Sequence, residues 1–267
     1  MDYVVGFLGY GRMAQAISGG FNRAALFPFI RQAAADVDEL LLAKTSRERG
    51  FTPLASNREL VSCCEIVIIA VKPHQVRSVL EEVREIVRPG QLFISIAAGV
   101  SLATLGRELP ESVHLVRVMP NLPTQVGYGV TLVCGAPSLA PERLQEVLKI
   151  FVSIGLALEL PENLFDAATA VSGSGPAYFF LMMEALIRGA VRLGLTWETA
   201  RTLVIQTAAG SAEMARTFPE FALSELRDQV TSPAGTTVEG LYTLEEGGFT
   251  ALLQKAVWVA AEKSKNL

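Results

Sequence analysis

The residues best placed by type and spacing to do chemistry begin at position 6. Gly6-Phe7-Leu8-Gly9-Tyr10-Gly11-Arg12-Met13-Ala14 carries the spacing G-x-G-x-x-A after the apolar run Val4–Leu8 and ahead of a helical pattern. Gly9 permits a tight turn, Gly11 lets the backbone approach a pyrophosphate, and Ala14 lets a helix lie close to a strand. The helix N-terminus then stabilises phosphates through its unpaired N–H groups and its dipole. In a βαβ setting this is a dinucleotide site.

Four further segments belong at the same edge of a sheet. A second strand is read at Leu40–Ala43, ending in Lys44-Thr45-Ser46-Arg47, with no carboxylate until Glu48. An acid at a second-strand end accepts from the ribose 2′-hydroxyl of NAD, whereas hydroxyls and cations suit a 2′-phosphate, so this reading favours NADP(H). Ala70-Val71-Lys72-Pro73 closes the buried run Ile66–Val71, where doubly wound sheets bind ligands, and Lys72 is read as a cofactor contact. Ser95-Ile96-Ala97-Ala98-Gly99 follows the next strand with small residues that leave room for a nicotinamide ring. Val116–Asn121 closes the strand after that.

Other reactive types read as structural. His74 starts a helix, His114 opens a strand, Glu184 and Glu245 are solvated or capping, and Ser172 and Ser174 lack a His–Asp partnership. Glu162 is a weak candidate for facing a substrate. Cys63, Cys64 and Cys134 match neither metal spacing nor a disulfide framework and read as reduced cytoplasmic thiols; no metal site is expected.

The elements that must position these residues follow from periodicity. Apolar runs at Val4–Leu8, Leu40–Ala43, Ile66–Val71, Leu92–Ile96, His114–Val118, Val130–Cys134 and Ala157–Leu160 alternate with helical patterns, which predicts a parallel sheet covered on both faces. Ser56-Asn57-Arg58-Glu59 reads as a capping box, and Pro73 and Pro141 suit a first helical turn. From Pro161 onward the strands stop. Helices are expected at Pro176–Leu193, Thr196–Arg216, Glu220–Val230, Thr237–Glu246 and Phe249–Lys263, broken by Gly194, Pro219, the turn at 232–235 and Gly247-Gly248. The expected fold is therefore α/β: a Rossmann-type doubly wound sheet over residues 1–160, then an all-helical dimerisation domain over 161–267.

Half of the 267 residues are hydrophobic and only 19% are charged, with a net charge of −4. That surplus needs burial beyond one ordinary core, and a homo-oligomer supplies it. The helix from Pro176 is apolar on nearly every side, which requires a buried or interface position. No basic run points to nucleic acid, no apolar stretch reads as a membrane span, and the start of the chain lacks a signal-peptide pattern.

Together these elements resemble the pyrroline-5-carboxylate reductase family. The most specific blocks are Asp228-Gln229-Val230-Thr231-Ser232-Pro233-Ala234-Gly235-Thr236-Thr237 and Val171-Ser172-Gly173-Ser174-Gly175-Pro176-Ala177-Tyr178. The resemblance covers essentially the whole chain. It implies NADPH-dependent reduction of 1-pyrroline-5-carboxylate to L-proline in a homodimer or larger assembly, in which a neighbouring subunit contributes the turn at 232–237.

The resemblance also implies residue roles. Leu8, Gly9, Tyr10, Gly11, Arg12 and Met13 hold the pyrophosphate, Ser46 lies near the adenosine phosphate, and Asn57 contacts the cofactor. Ala70, Val71, Lys72, Pro73, Ala97, Ala98 and Gly99 line it. Ser232, Thr236 and Thr237 bind the substrate carboxylate, Thr169 faces the reacting ring, and Thr237 is assigned a hydrogen bond to the ring nitrogen or carboxylate. The anion-binding logic of a turn leading into a helix agrees. Leu122 and Tyr128 depart from the family pattern, and the segment 24–38 is longer than usual. Reduction of another cyclic imino acid, or NADP binding without turnover, remain alternatives.

Overall fold

The computed structural model describes residues 3–23 and 31–265; residues 24–30 of the long segment noted above lie outside them. Eight strands form one sheet: β1 (Tyr3–Leu8), β2 (Gln32–Ala35), β3 (Thr52–Pro53), β4 (Cys64–Ile69), β5 (Leu92–Ser95), β6 (His114–Met119), β7 (Gly129–Gly135) and β8 (Gly155–Glu159). Their order is β3-β2-β1-β4-β5-β6-β7-β8. The chain winds outward from β1 to β3, then returns to β4 on the other side of β1. The crevice between β1 and β4 is thus the topological switch point, where such sheets bind ligands.

Helices α1 (Arg12–Arg23), α2 (Glu39–Arg49), α3 (Asn57–Cys63), α4 (Val76–Val83), α5 (Leu102–Glu108) and α6 (Pro141–Val152) connect the strands. Two apolar clusters cover the two faces of the sheet. Phe7, Ile68, Ile94 and Val116 belong to one, with Tyr10, Ile17 and Phe151. Leu8, Ile69, Phe93 and Leu115 belong to the other, with Leu60 and Leu80. Neighbours along a strand point to opposite faces, so a strand buried on both must be apolar throughout.

The structure departs from the sequence reading in two places. Leu40–Ala43 is not a strand but part of α2, while the second strand is Gln32–Ala35, parallel to β1 and buried along its length. Asp38 caps the helix, its carboxylate accepting from the Leu41 N–H at 2.9 Å, and Gly50 ends it at φ +73°. The sheet is also not wholly parallel: β7 runs antiparallel to β6. Only residues 120–128 separate the two strands, too few for the helical crossover that a parallel return requires.

Ser56 caps α3 as expected, accepting from the Glu59 N–H at 3.1 Å, while the Glu59 carboxylate reaches back to the Ala55 N–H at 2.9 Å. Pro141 occupies the first turn of α6. The remaining helices are α7 (Phe165–Ser172), α8 (Gly175–Arg192), α9 (Trp197–Thr217), α10 (Leu223–Gln229), α11 (Thr236–Glu246) and α12 (Phe249–Ser264).

The chain divides into two compact units. One comprises residues 1–174 with 260–267, and the other residues 175–259. The break therefore falls after α7, whereas the composition change in the sequence comes at 161. The second unit has almost no core of its own: only Gly175, Ile187 and Ala200 are buried. Phe179, Leu181 and Trp258 are 61%, 68% and 64% exposed. Such an apolar surface marks an interaction site. Among the described residues one helical run, Glu162–Arg192, is long and apolar enough to cross a membrane by length and composition, with a mean hydropathy of 1.2. It contains the helix from Pro176 that the sequence marks as apolar on nearly every side and places in a core or subunit interface.

Candidate functional site

The first turn after β1 is built for close backbone approach. Gly9 sits at φ +87°, a conformation other residues rarely adopt. A Cβ there would lie 2.8 Å from Val71 Cγ1 and 3.1 Å from the Ala70 backbone. Gly9 thus lets β1 and β4 end side by side, with the Ala70 N–H donating to the Leu8 carbonyl at 2.8 Å. Gly11 has nothing within 4 Å of its Cβ direction. Its missing side chain leaves open space at the start of α1, whose first N–H groups have no intrahelical acceptor.

That space is a cavity of about 160 Å³ lined by Gly9, Gly11, Ala35, Asp36, Val37, Asn57, Ala70, Val71, Lys72, Gln75 and Val79. Of the residues the sequence points to, Gly9, Gly11, Asn57, Ala70, Val71 and Lys72 come together here. Asn57 opens α3 and donates to the Glu82 carboxylate at 2.8 Å. Lys72 leads into a 3-10 turn begun by Pro73, and its N–H donates to Gln75 Oε1 at 3.2 Å. Glycine backbone, a helix N-terminus and a lysine form a donor set that suits a dinucleotide phosphate.

Leu8 and Tyr10 reach this region through backbone alone. Both side chains are fully buried. The Tyr10 ring packs against Phe51 at 4.1 Å between centroids and its hydroxyl donates to Ser18 Oγ at 2.7 Å. Burial pushes its phenol pKa up. Arg12 and Met13 begin α1, the first exposed and the second half-buried. Pro73, Ala97, Ala98 and Gly99 do not line the cavity. The last three follow β5, which runs parallel to β4, so they lie along the same strand-end edge.

The second-strand end is where the sequence reading must be corrected. Ser46 does not follow a strand. It lies within α2, its hydroxyl donating to the Ala43 carbonyl at 3.0 Å, and it is absent from the cavity lining. The residue that does follow β2 is Asp36. Its Oδ2 accepts from the Tyr10 N–H at 2.5 Å and its Oδ1 from the Asp38 N–H at 2.9 Å. Asp36 and Val37 were missed because three alanines preceded by Gln do not look like a strand, although the turn-forming Asp-Val-Asp before a leucine-rich run marked a helix start.

Further along the edge, Asn121 follows β6 and is buried. It donates to the Ser172 carbonyl at 2.9 Å and accepts from the Val130 N–H at 2.8 Å. This ties the end of α7 to the start of β7. Thr169, one turn earlier, is half-buried, and its carbonyl accepts from Gly173 N–H at 2.8 Å and Ser174 N–H at 3.0 Å. A Cβ on Gly173 would lie 2.9 Å from that carbonyl and 3.5 Å from Met119 Cε, so the glycine admits close packing at the β6 end. Leu122 and Tyr128 lie between β6 and β7 and are exposed. Glu162 accepts from Arg117 at 3.0 Å and from the Leu102 N–H at 2.7 Å, a structural arrangement. Cys134 is raised in pKa by burial and by the Glu162 charge, and Cys64 by burial and its neighbour Cys63.

In the second unit, Ser232–Gly235 forms a turn closed by the Gly235 N–H donating to the Ser232 carbonyl at 3.0 Å. Ala234 takes φ +56°, a strained value for a residue with a side chain. A Cβ on Gly235 would collide with the Ser232 hydroxyl. α11 then starts at Thr236, so Thr236 and Thr237 open a helix and Ser232 lies in the turn just before it, all three residues exposed. Thr169 lies in one unit, and Ser232, Thr236 and Thr237 lie together in the other.

Two family models match parts of the chain. Residues 162–267 match the family model described as pyrroline-5-carboxylate reductase dimerisation. Residues 4–99 match that of NADP oxidoreductase, coenzyme F420-dependent. A pyrroline-5-carboxylate reductase of Methanosarcina acetivorans is 40% identical, covering 98% of this chain and 97% of the relative. One from Pisum sativum is 37% identical over 100% and 96%. The Plasmodium falciparum enzyme, solved with NADP bound, superposes with a TM-score of 0.90 at 34% identity, covering 99% and 98% of the two chains. The chain belongs to the pyrroline-5-carboxylate reductase family.

Proposed function

We propose that this chain reduces 1-pyrroline-5-carboxylate to proline with NADP(H), the last step of proline synthesis. The observation that carries the reading is the glycine-lined cavity at the switch point between β1 and β4. Gly9, Gly11 and the α1 N-terminus would hold the pyrophosphate, with Asn57 and Lys72 beside it. NADP(H) is supported by the matched oxidoreductase model and by the relative solved with NADP.

The reduced nicotinamide, when bound, supplies a hydride equivalent. The protein's part is to place the imine carbon within about 3–3.5 Å of the donor carbon and to exclude water. Protonation of the ring nitrogen makes that carbon electrophilic, and the C=N bond becomes C–N with one hydrogen added at each end. Ser232, Thr236 and Thr237 bind the substrate carboxylate through hydroxyls and the α11 N–H groups, and Thr237 holds the ring nitrogen or carboxylate. Thr169 faces the reacting ring. Small residues Ala97, Ala98 and Gly99 leave room for the nicotinamide.

The working form is a homodimer or a larger assembly of dimers, supported by the dimerisation model over 162–267 and by the exposed apolar side chains of residues 175–259. A partner subunit covers the apolar run Glu162–Arg192. We place the protein in the cytoplasm, consistent with three unpaired cysteines. Following NADPH absorbance with five- and six-membered cyclic imines tests the function. Turnover of the five-membered imine is expected to dominate; a preference for the six-membered ring, or no turnover of either, would overturn the reading.

A further inference from the structure

Asn121 is a buried amide, 6% exposed, with both of its ends in use. Its Nδ2 donates to the Ser172 carbonyl at 2.9 Å, and its Oδ1 accepts from the Val130 N–H at 2.8 Å. A carbonyl can only accept and an N–H can only donate, so these two partners fix which way the amide points. The Ser172 bond spans 51 residues of sequence and is the polar tie between the β6 end and the last turn of α7. Gly173 brings the same turn against Met119, whose Cε lies 3.5 Å from the position a Cβ would take.

The two hydroxyls of that turn behave differently. Ser172 donates to the carbonyl four residues back, that of Ala168, at 3.0 Å, as Thr202 does to Glu198 and Thr243 to Glu239 in later helices. Thr169 makes no such bond, and its hydroxyl has no partner among the described residues. Its methyl lies toward Gly173, 3.1 Å from the same Cβ position. A helical hydroxyl that does not bond back to its own helix is free to serve another group. We propose that Asn121 is a positioning residue for the reduction. By holding the Ser172 carbonyl it fixes the last turn of α7, and with it the free Thr169 hydroxyl, relative to the reacting ring. The proposal rests on the place given to Thr169 above.

Steady-state kinetics with the five-membered imine, beside NADP+ titration of the full chain, tests it. Asn121→Asp keeps an oxygen for the Val130 N–H but, while ionised, sets a second acceptor against the Ser172 carbonyl. At pH 8 its kcat should fall roughly ten- to a hundredfold, the scale for a group held slightly out of place, with the NADP+ Kd unchanged. Protonation restores a donor, so kcat relative to wild type at the same pH should recover toward pH 5. On a Thr169→Val background the same substitution should cost no more than about twofold, because both changes act on one group. Should Asn121→Asp fail to fold, Gly173→Ala shifts the same turn by pressing a methyl on the Thr169 carbonyl, and it should lower kcat at unchanged NADP+ affinity. A kcat ratio flat with pH, a parallel loss of NADP+ affinity, full additivity with Thr169→Val, or wild-type kcat in Gly173→Ala overturns the role of Asn121 while sparing that of Thr169. Wild-type kcat in Thr169→Val overturns the Thr169 reading and this proposal together.

Discussion

Arg117 and Glu162 form an ion pair at 3.0 Å, with side chains only 11% and 30% exposed. The same carboxylate oxygen accepts from the Leu102 N–H at the start of α5, and the guanidinium lies 4.9 Å over the Phe165 ring. One carboxylate therefore joins β6, α5 and the segment leading into α7. Removing it leaves a largely buried guanidinium and an N–H without their acceptor. Glu162→Ala should lower unfolding free energy by about 1–3 kcal/mol, discounted for the partial exposure. The urea midpoint measures this; an unchanged midpoint would place the junction's stability elsewhere.

Gly9 and Gly11 should separate fold from binding. Gly9→Ala places a methyl against Val71 and the Ala70 backbone at an unfavourable φ, so both stability and nucleotide affinity should fall. The stability loss should be about 1–3 kcal/mol. Gly11→Ala meets no protein atom, so its melting temperature should hold while the methyl enters the phosphate space and binding weakens. Thermal melting with NADP+ titration distinguishes the two; equal behaviour of both variants would contradict the assignment.

Thr237→Ala should raise KM for the imine or lower kcat while leaving NADP+ affinity intact. The expected loss in kcat/KM corresponds to about 1–3 kcal/mol, one hydrogen-bond partner of a buried carboxylate. Unchanged steady-state kinetics would remove Thr237 from the substrate site.

A buried and a half-buried thiol give a pH signature. Burial raises the pKa of Cys64 and Cys134 in the fold. Above about pH 8.5 the unfolded thiols lose protons that the folded ones keep, so stability must decline as pH rises. The decline should run from that ordinary thiol value up to the raised folded ones. Urea midpoints at pH 7 through 10 measure it, and Cys134→Ala should flatten the curve. A slope unaffected by that substitution would assign the decline to other groups.

Leu181, 68% exposed on α8, should lie in the dimer interface. Light scattering should find no stable wild-type monomer, and Leu181→Arg should dissociate or aggregate the protein. A monodisperse, active wild-type monomer would remove the dimer from the function.

The glycine loop, the strand ends at Ala70 and Ala97, the capping box at Ser56 and the helices after α7 were all legible in the residues. Each is a local signal: a turn needing glycine, a cap needing an oxygen, an apolar run or a helical period. β2 was not legible. Gln32-Ala33-Ala34-Ala35 has little strand propensity, and Leu40–Ala43 mimics a strand, so the carboxylate at position 36 passed unnoticed. The antiparallel turn of β7 was equally hidden behind an apolar run that suits either direction.

The sequence by itself determined the chemistry available: a glycine turn whose spacing suits a phosphate, a turn with three hydroxyl residues leading into a helix, and an apolar surplus. Only the tertiary structure decided which residue stands at the end of the second strand, on the edge of the cavity. Strand identity in β2 comes from pairing with β1 and β3 and from burial on both faces, and these long-range contacts outweigh local preference. By making Gln32–Ala35 the strand, they set Asp36 against the Tyr10 N–H and turned Ser46 into its own helix.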